Sequence, residues 1–281
     1  MSEVNNFTLL KKAQNFLKQK GIAEFETDAE VLLSAALNIK RSSLALLRAE
    51  KPTKIQNLAF KHYILRRAKR EPCAYIIGNC EFMGLEFKVT KDVLIPRPET
   101  ELLTEEALII AKEKRLKNVL DLCCGSGCIA ISLAVMGNFE KITASDVSAE
   151  TLKIAKENAT KHNTHNVTFV KSSLFENIGN QKFDLIVSNP PYVSAQEYES
   201  LESDLKYEPK IALTDSKDGL SFYEEISEKA AFYLDKGGLV FVELNANKFK
   251  EIQSIFEKNK YKNIEMLKDY AGLYRILKTE I

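Results

Sequence analysis

Val119-Leu120-Asp121-Leu122-Cys123-Cys124-Gly125-Ser126-Gly127-Cys128-Ile129-Ala130 is the stretch that decides the fold of this chain. An apolar run of strand length ends in a glycine turn and passes directly into the start of a helix. Gly125 and Gly127 let the backbone approach a ligand where a side chain would block it. The spacing of Gly125, Gly127 and Ala130 fits the dinucleotide-binding fingerprint, and Asp146 stands at the proper remove after the next strand. A carboxylate there accepts hydrogen bonds from two ribose hydroxyls. NAD and S-adenosylmethionine both carry such a ribose, so the loop and Asp146 do not tell them apart. A glycine turn that binds nothing is the plainer alternative; the placing of Asp146 within Ala144-Ser145-Asp146-Val147-Ser148 weighs against it.

Outward from this loop, strand-like runs occur at Val119–Cys123, Ile142–Asp146, Val167–Val170, Phe183–Ser188 and Leu239–Leu244. Amphipathic stretches such as Ala149 to His162 and Phe222 to Leu234 separate them. This alternation predicts an α/β fold, a mostly parallel sheet with helices on both faces. The last two candidates, Ile264–Leu267 and Tyr274–Leu277, are joined only by Lys268 to Leu273. That is too short for a parallel crossover, so they are expected to pair antiparallel. A Rossmann-like sheet finished by an antiparallel hairpin is the architecture of class I S-adenosylmethionine-dependent methyltransferases, expected here over residues 97–281.

Residues 1–71 read as a small helical bundle. Val4, Phe7, Leu10, Ala13 and Leu17 repeat at helical spacing until Gly21. Thr27 and Asp28 offer an N-cap before Val31, Leu32, Ala35 and Ala36. A third amphipathic stretch follows Pro52, with Ile55, Leu58, Ala59, Tyr63, Ile64 and Leu65. Its basic end, Arg66-Arg67-Ala68-Lys69-Arg70, either grips an acidic partner or is a solvated helix C-terminus that suits the dipole. The bundle has no visible chemistry, and docking a substrate is its expected task. Over residues 72–96 the period changes. Tyr75, Ile77, Phe82, Phe87 and Val89, broken by Gly78 and Gly84, predict a hairpin linker. Pro96 and Pro98 then fix an extended backbone until Thr100 can cap a helix, in a loop that connects two domains or walls a site.

Composition narrows the function classes. The chain has 281 residues, 45% hydrophobic and 28% charged, which suits a globular protein. Lys+Arg 40 against Asp+Glu 39 leaves a net charge of +1. A protein that neutralises many phosphates is normally more basic, so no direct nucleic-acid substrate is expected. Met1 to Leu10 lacks an apolar core of signal-peptide length, and no run is long enough to span a bilayer, so no membrane partner is expected either. Cys73, Cys80, Cys123, Cys124 and Cys128 suit neither a disulfide framework nor a zinc site. They read as small buried hydrophobes in a reducing compartment, and the expected location is the cytoplasm. His62, His162 and His165 are scattered, the last two expected at a solvated helix end, and they assemble neither a metal centre nor a nucleophilic triad.

Ile186-Val187-Ser188-Asn189-Pro190-Pro191-Tyr192 carries the chemistry. It lies at the C-terminal end of the fourth parallel strand, the edge where open α/β sheets bind ligands. Two prolines stiffen the backbone, Asn189 offers a carbonyl oxygen, and Tyr192 offers an aromatic face for a planar group. An amide or aryl-amine nitrogen is a poor nucleophile because its lone pair is delocalised. The Asn189 oxygen and the Pro190 carbonyl can each accept one N–H, aiming that lone pair and stabilising charge that develops on nitrogen. An ordinary proline-rich turn is the alternative, weakened by its position after a matching cofactor loop.

Asn189-Pro190-Pro191-Tyr192 resembles the signature of amino methyltransferases that act on glutamine amides, adenine N6 or guanine N2. The wider chain resembles one branch, the bacterial peptide chain release factor N5-glutamine methyltransferases of the HemK/PrmC type. That likeness rests on Arg66-Arg67, Glu71-Pro72, Ala74-Tyr75-Ile76, Gly78, Glu81-Phe82, Gly84 and Phe87. Leu94-Ile95-Pro96-Arg97-Pro98-Glu99-Thr100-Glu101 is highly particular to the family, and Tyr207-Glu208-Pro209, Ala212-Leu213, Asp218-Gly219-Leu220, Tyr223 and Gly237-Gly238 continue the match. The resemblance implies S-adenosylmethionine as cofactor, with contacts at Cys123, Cys124, Gly125, Ser126, Gly127, Asp146, a position near Leu174, and Asn189. It implies a substrate glutamine, in the Gly-Gly-Gln motif of class-one release factors, meeting Asn189, Pro190, Pro191 and Tyr192. Asn189, Pro190 and Tyr192 are the expected catalytic residues. Two other readings stay open: methylation of adenine or guanine in nucleic acid, and an idle module that binds S-adenosylmethionine or NAD. The charge balance and the Pro96–Glu101 segment count against the first, the intact Asn189–Tyr192 tetrapeptide against the second.

Overall fold

The computed structural model describes residues 5–281; Val4, placed by the sequence in the first helical repeat, lies outside them. The chain divides into two compact units, Met1–Asn79 with Glu202–Tyr207, and Cys80–Leu201 with Glu208–Ile281.

The first unit holds α1 (Asn6–Gln19), α2 (Phe25–Leu37), α3 (Lys54–Arg67) and α4 (Cys73–Ile77). Asn5 caps α1 by accepting from the Thr8 N–H, and Thr53 with Gln56 forms a capping box on α3. Such caps each contribute about 1 kcal/mol. Leu10, Leu17, Leu32, Leu33, Phe60 and Ile64 close a core between the three long helices.

α2 begins at Phe25, so Thr27 and Asp28 lie inside its first turn rather than capping it. Asp28 instead accepts from buried Arg67 Nε at 2.6 Å, and Asp204 sits 2.6 Å from the same guanidinium. A buried guanidinium needs such partners. With Arg66 forked onto Glu71 and Arg70 bonded to the Gly21 carbonyl, the basic run is largely consumed inside its own unit. Finally, α3 turns Phe60, Ile64 and Arg67 inward, which leaves Ile55, Leu58 and Leu65 exposed. The segment expected as hairpin opens with the turn of α4, ended by Gly78 at φ +90°, where a residue with a Cβ is strained.

The hairpin itself is β1 (Asn79–Phe82) and β2 (Leu85–Lys88). There follow α5 (Pro98–Lys114), β3 (Asn118–Leu122), α6 (Cys128–Met136), β4 (Lys141–Asp146), α7 (Ala149–Lys161), β5 (Val167–Lys171) and β6 (Phe183–Ser188). After α8 (Ala195–Glu199) and α9 (Lys210–Leu213) come α10 (Ser221–Tyr233), β7 (Leu234–Glu243), α11 (Phe249–Lys258), β8 (Lys262–Lys268) and β9 (Tyr274–Glu280). The seven-stranded sheet runs β5-β4-β3-β6-β7-β9-β8. β3 to β7 are parallel, and β9 inserts antiparallel between β7 and β8, completing the class I methyltransferase fold.

Alternation along the strands divides the core in two. Val119, Leu185, Val187 and Phe241 pack with Leu103, Ile129 and Leu133 on one face; Leu120, Leu122, Ile186 and Val240 pack with Tyr223, Ile226 and Phe256 on the other. Helix α5 starts at Pro98 and not at Thr100, because proline at the first helical position gives up no hydrogen bond. That frees the Thr100 side chain for other work. His162 caps the end of α7, its Nε2 2.9 Å from the Glu86 carbonyl and its ring packed on Phe87. Among the described residues no helix is long and apolar enough to cross a membrane.

Candidate active site

β3 is the switch point of the sheet, with β4 on one side and β6 on the other. Leu122 is level with both Ser145 and Ser188, so three strands end together and their following loops converge. Cys123 leaves β3 at φ +60°, and the Cys124 N–H bonds the Ser145 carbonyl at 2.9 Å. Gly125, at φ +54°, donates its N–H to Asp146 Oδ2 at 3.1 Å, while Ser148 N–H donates to Oδ1 at 3.0 Å. A Cβ on Gly125 would meet no atom within 4 Å, so its open side gives onto free space. Gly127 does a different job. A Cβ there would lie 2.9 Å from Ile131 and 3.3 Å from Ala155, so its bareness lets α6 and α7 approach.

The free space is a cleft of about 1070 Å³, its mouth included. Cys123, Cys124, Gly125, Ser126, Asp146 and Asn189 form its polar end, and Val93, Leu94, Ile211 and Phe222 supply apolar wall. Burial raises Asp146 above the ordinary carboxylate range, opposed by the N–H groups of Ser148 and Gly125. Beneath the loop, fully buried Asp121 accepts the Ala130 N–H at 3.1 Å and ties β3 to the first turn of α6. Burial pushes its carboxyl up to about 8, with nearby Asp146 adding to the rise.

At the tip of β6, Ser188 Oγ holds the strand to the Leu122 carbonyl at 2.8 Å. Asn189 Nδ2 donates to Thr100 Oγ1 at 3.0 Å, and Thr100 Oγ1 donates to Glu243 Oε2 at 2.6 Å. Tyr192 OH reaches Glu243 Oε1 at 3.4 Å, and Tyr223 OH donates to the Glu243 carbonyl at 2.9 Å. Glu243 is 1% exposed, and burial pushes its carboxyl up to about 7. Glu99 adds to the rise, while Thr100, Tyr192 and Arg275 oppose it. Burial and the same carboxylate raise the Tyr192 hydroxyl. The Tyr192 carbonyl accepts from Asn245 Nδ2 at 3.3 Å, and a Cβ on Gly219 (φ +83°) would fall 2.5 Å from that carbonyl oxygen. Buried Glu208 accepts from the Ile95 N–H at 3.0 Å and from Arg97 Nη2 at 2.5 Å, which pins the proline loop that brings Pro96, Arg97 and Thr100 to the cleft.

Residues 100–205 match the family model described as the Methyltransferase small domain, and residues 8–78 match the PrmC N-terminal domain. The chain is 37% identical over 279 residues to a release factor glutamine methyltransferase of Fusobacterium nucleatum, covering 97% of this chain and 78% of that protein. It is 41% identical over 268 residues to one of Buchnera aphidicola, covering 95% and 96%. The chain belongs to the release factor glutamine methyltransferase family. A methyltransferase of Pyrococcus furiosus shares its fold at a TM-score of 0.53 and 20% identity, over 70% of this chain and 89% of that one.

For a member of the release factor glutamine methyltransferase family, the sequence singles out site residues that the structure distributes unevenly. Cys123, Cys124, Gly125, Ser126, Asp146, Asn189 and Pro191 line one cleft. Gly127, Leu174, Pro190 and Tyr192 are not among its lining residues. Leu174, at φ +42°, turns into the core with its carbonyl accepting from Ser172 Oγ, and Ser172 and Ser173 take the wall position instead. Tyr192 sends its hydroxyl to Glu243. Sequence reasoning missed Glu243, the side-chain role of Thr100, and the brace from Glu208. Glu243 did leave a signal: it is the one acid closing the apolar run Leu239–Val242, at the ligand-binding end of a parallel strand.

Proposed function

We propose that this chain transfers the methyl group of S-adenosylmethionine to the side-chain amide nitrogen (N5) of the glutamine in the Gly-Gly-Gln motif of class-one peptide chain release factors, in the cytoplasm. The carrying observation is Asn189, a residue of the cleft lining: its Nδ2 is tied to Thr100, while its Oδ1 accepts no hydrogen bond from the described residues and is left for a substrate N–H. That oxygen and the Pro190 carbonyl each take one N–H of the substrate amide. The nitrogen lone pair is thereby aimed, and positive charge arising on nitrogen is met by two preorganised acceptors. No general base is needed, because the proton becomes acidic once nitrogen is alkylated and leaves to water. Pro191, which lines the cleft, offers flat apolar surface to the amide plane, with Tyr192 packed behind it and bonded to Glu243.

The residues present fit the cofactor. Gly125 faces open space where a Cβ would intrude, and each Asp146 oxygen, having accepted one backbone N–H, retains a lone pair for a ribose hydroxyl. Cys123 to Ser126, Asp146 and the Ser172–Ser173 wall would hold it. When bound, S-adenosylmethionine supplies an electrophilic sulfonium methyl. Asp146→Ala removes hydrogen bonds to charge worth roughly 1.5–3 kcal/mol, so calorimetry is expected to show affinity weaker by about ten- to a hundredfold. Unchanged affinity would put the ribose elsewhere, and tighter binding of NAD would favour a dehydrogenase-like site.

The reading is tested by tritiated methyl transfer to an intact release factor, to DNA and to ribosomal RNA, with the modified residue mapped by mass spectrometry. Label on the glutamine amide is the expected result. Label on nucleic acid with the glutamine unmodified would overturn the substrate while leaving an amino methyltransferase.

A further inference from the structure

We infer that Thr100 and Glu243 are positioning residues that decide which way round the Asn189 amide faces, and hence whether its oxygen is presented to the substrate. The inference rests on the function proposed above and goes beyond it by naming the device behind Asn189. A side-chain amide is nearly symmetric in shape but not in chemistry: a half-turn exchanges an acceptor for a donor. Only the orientation with Oδ1 toward the cleft can accept a substrate N–H; the other sets donor against donor.

The selection is made by a hydroxyl with a single hydrogen. Thr100 commits that hydrogen to Glu243 Oε2 at 2.6 Å, a short contact of the charge-assisted kind. Its Oγ1 is then left as an acceptor and takes the Asn189 Nδ2 hydrogen at 3.0 Å. The carboxylate thus fixes the polarity of the whole chain of bonds. Once Glu243 is protonated it can donate to Thr100, whose hydrogen is then free to turn to Asn189, and the preference disappears.

Glu243 is poorly explained as a stabilising group. It is buried, and a buried carboxylate is costly unless paired. Arg275, the cation acting on it, is itself paired with Asp269 at 2.8 Å and lies 3.8 Å from Glu99. The groups facing Glu243 are therefore Thr100 and Tyr192 as hydrogen-bond donors, Glu99 as a like charge and Arg275 as a shared cation. With its carboxyl at about 7, the relay works above that pH and fails below it.

The test is single-turnover transfer at saturating S-adenosylmethionine and release factor, from about pH 5.5 to about pH 8.5, which brackets the Glu243 transition. Wild type is expected to speed up as pH rises through about 7 and then level off, because the ionised form is the orienting one. Thr100→Val should lower the plateau about tenfold, the effect of one misdirected active-site hydrogen bond, and abolish the limb, with S-adenosylmethionine affinity unchanged. Thr100→Ser, which restores the hydroxyl, should recover both. A second readout needs no turnover: the Asn189 side-chain NH2 resonances, assigned by their absence from an Asn189→Ala spectrum. They should shift with a midpoint near 7 in wild type and stay flat in Thr100→Val and in Glu243→Gln. A Thr100→Val enzyme near the wild-type rate, or one keeping the limb, would overturn the relay. Wild type that leaves release factor unmethylated would sink the proposed function instead, and the amide titration would still decide the relay.

Discussion

Asn189→Ala is expected to slow single-turnover methyl transfer about 100-fold or more, with the fold intact and S-adenosylmethionine affinity changed only a few-fold, the size of effect seen when one preorganised polar group is removed from an active site. Truncation deletes the acceptor that the Thr100–Glu243 pair holds in place, but the backbone path is secured independently. Ser188 stays bonded to the Leu122 carbonyl, and Asn245 and Gly219 still seat the Tyr192 carbonyl. The Cys123–Ser126 loop and Asp146 are held by bonds to Ser145, Gly125 and Ser148 in which Asn189 takes no part. The loss should therefore fall on the rate constant of the chemical step and much less on KM. Rapid-quench measurement under saturating conditions separates the two. A rate near wild type would make Asn189 a structural residue and remove the basis of the mechanism.

What the sequence disclosed and what it concealed follow from chain distance. The glycine loop and Asn189-Pro190-Pro191-Tyr192 are contiguous, and each joins a strand to its following loop, so period, breaker residues and position in the sheet could be read together. The antiparallel ending was legible because the six residues from Lys268 to Leu273 leave no other pairing. The parts that escaped are long-range. Thr100 and Glu243 are 143 residues apart, and Arg97 and Glu208 are 111 apart, so neither spacing nor periodicity connects them. Local rules also misdirected. Pro98 reads as a barrier to helix but sits where a missing N–H costs nothing, and the arginines after Leu65, which read as either a grip on an acidic partner or a solvated helix end, meet Asp28, Asp204 and Glu71 instead. The apolar residues of α3 could not be sorted into inner and outer faces from their spacing alone, because Phe60 and Ile64 lie between Leu58 and Leu65 and all four suit a core.

That outer face motivates the second large effect. A folded release factor is expected to be methylated with a kcat/KM about 100-fold or more above that of a short peptide carrying the same Gly-Gly-Gln loop. One glutamine side chain supplies little binding energy, and a flexible loop must be ordered as it enters the cleft, so a free peptide bears a cost that a docked factor offsets through contacts elsewhere. We propose that the helical unit supplies those contacts. Ile55, Leu58 and Leu65 on α3 are 81%, 67% and 55% exposed, and their spacing places them along one side of the helix. Exposed side chains of this kind contribute little to folding, so replacing all three with serine should leave thermal stability nearly unchanged. The triple variant is expected to raise KM for the intact factor about tenfold or more, while kcat, S-adenosylmethionine affinity and the slow rate on peptide stay as they were. Steady-state kinetics on both substrates, with tritium counted on the factor and on the peptide, distinguishes the outcomes. Equal kcat/KM for peptide and factor would mean that the cleft alone recognises the substrate. A clear preference for the factor that survives the triple replacement would move the docking surface off α3.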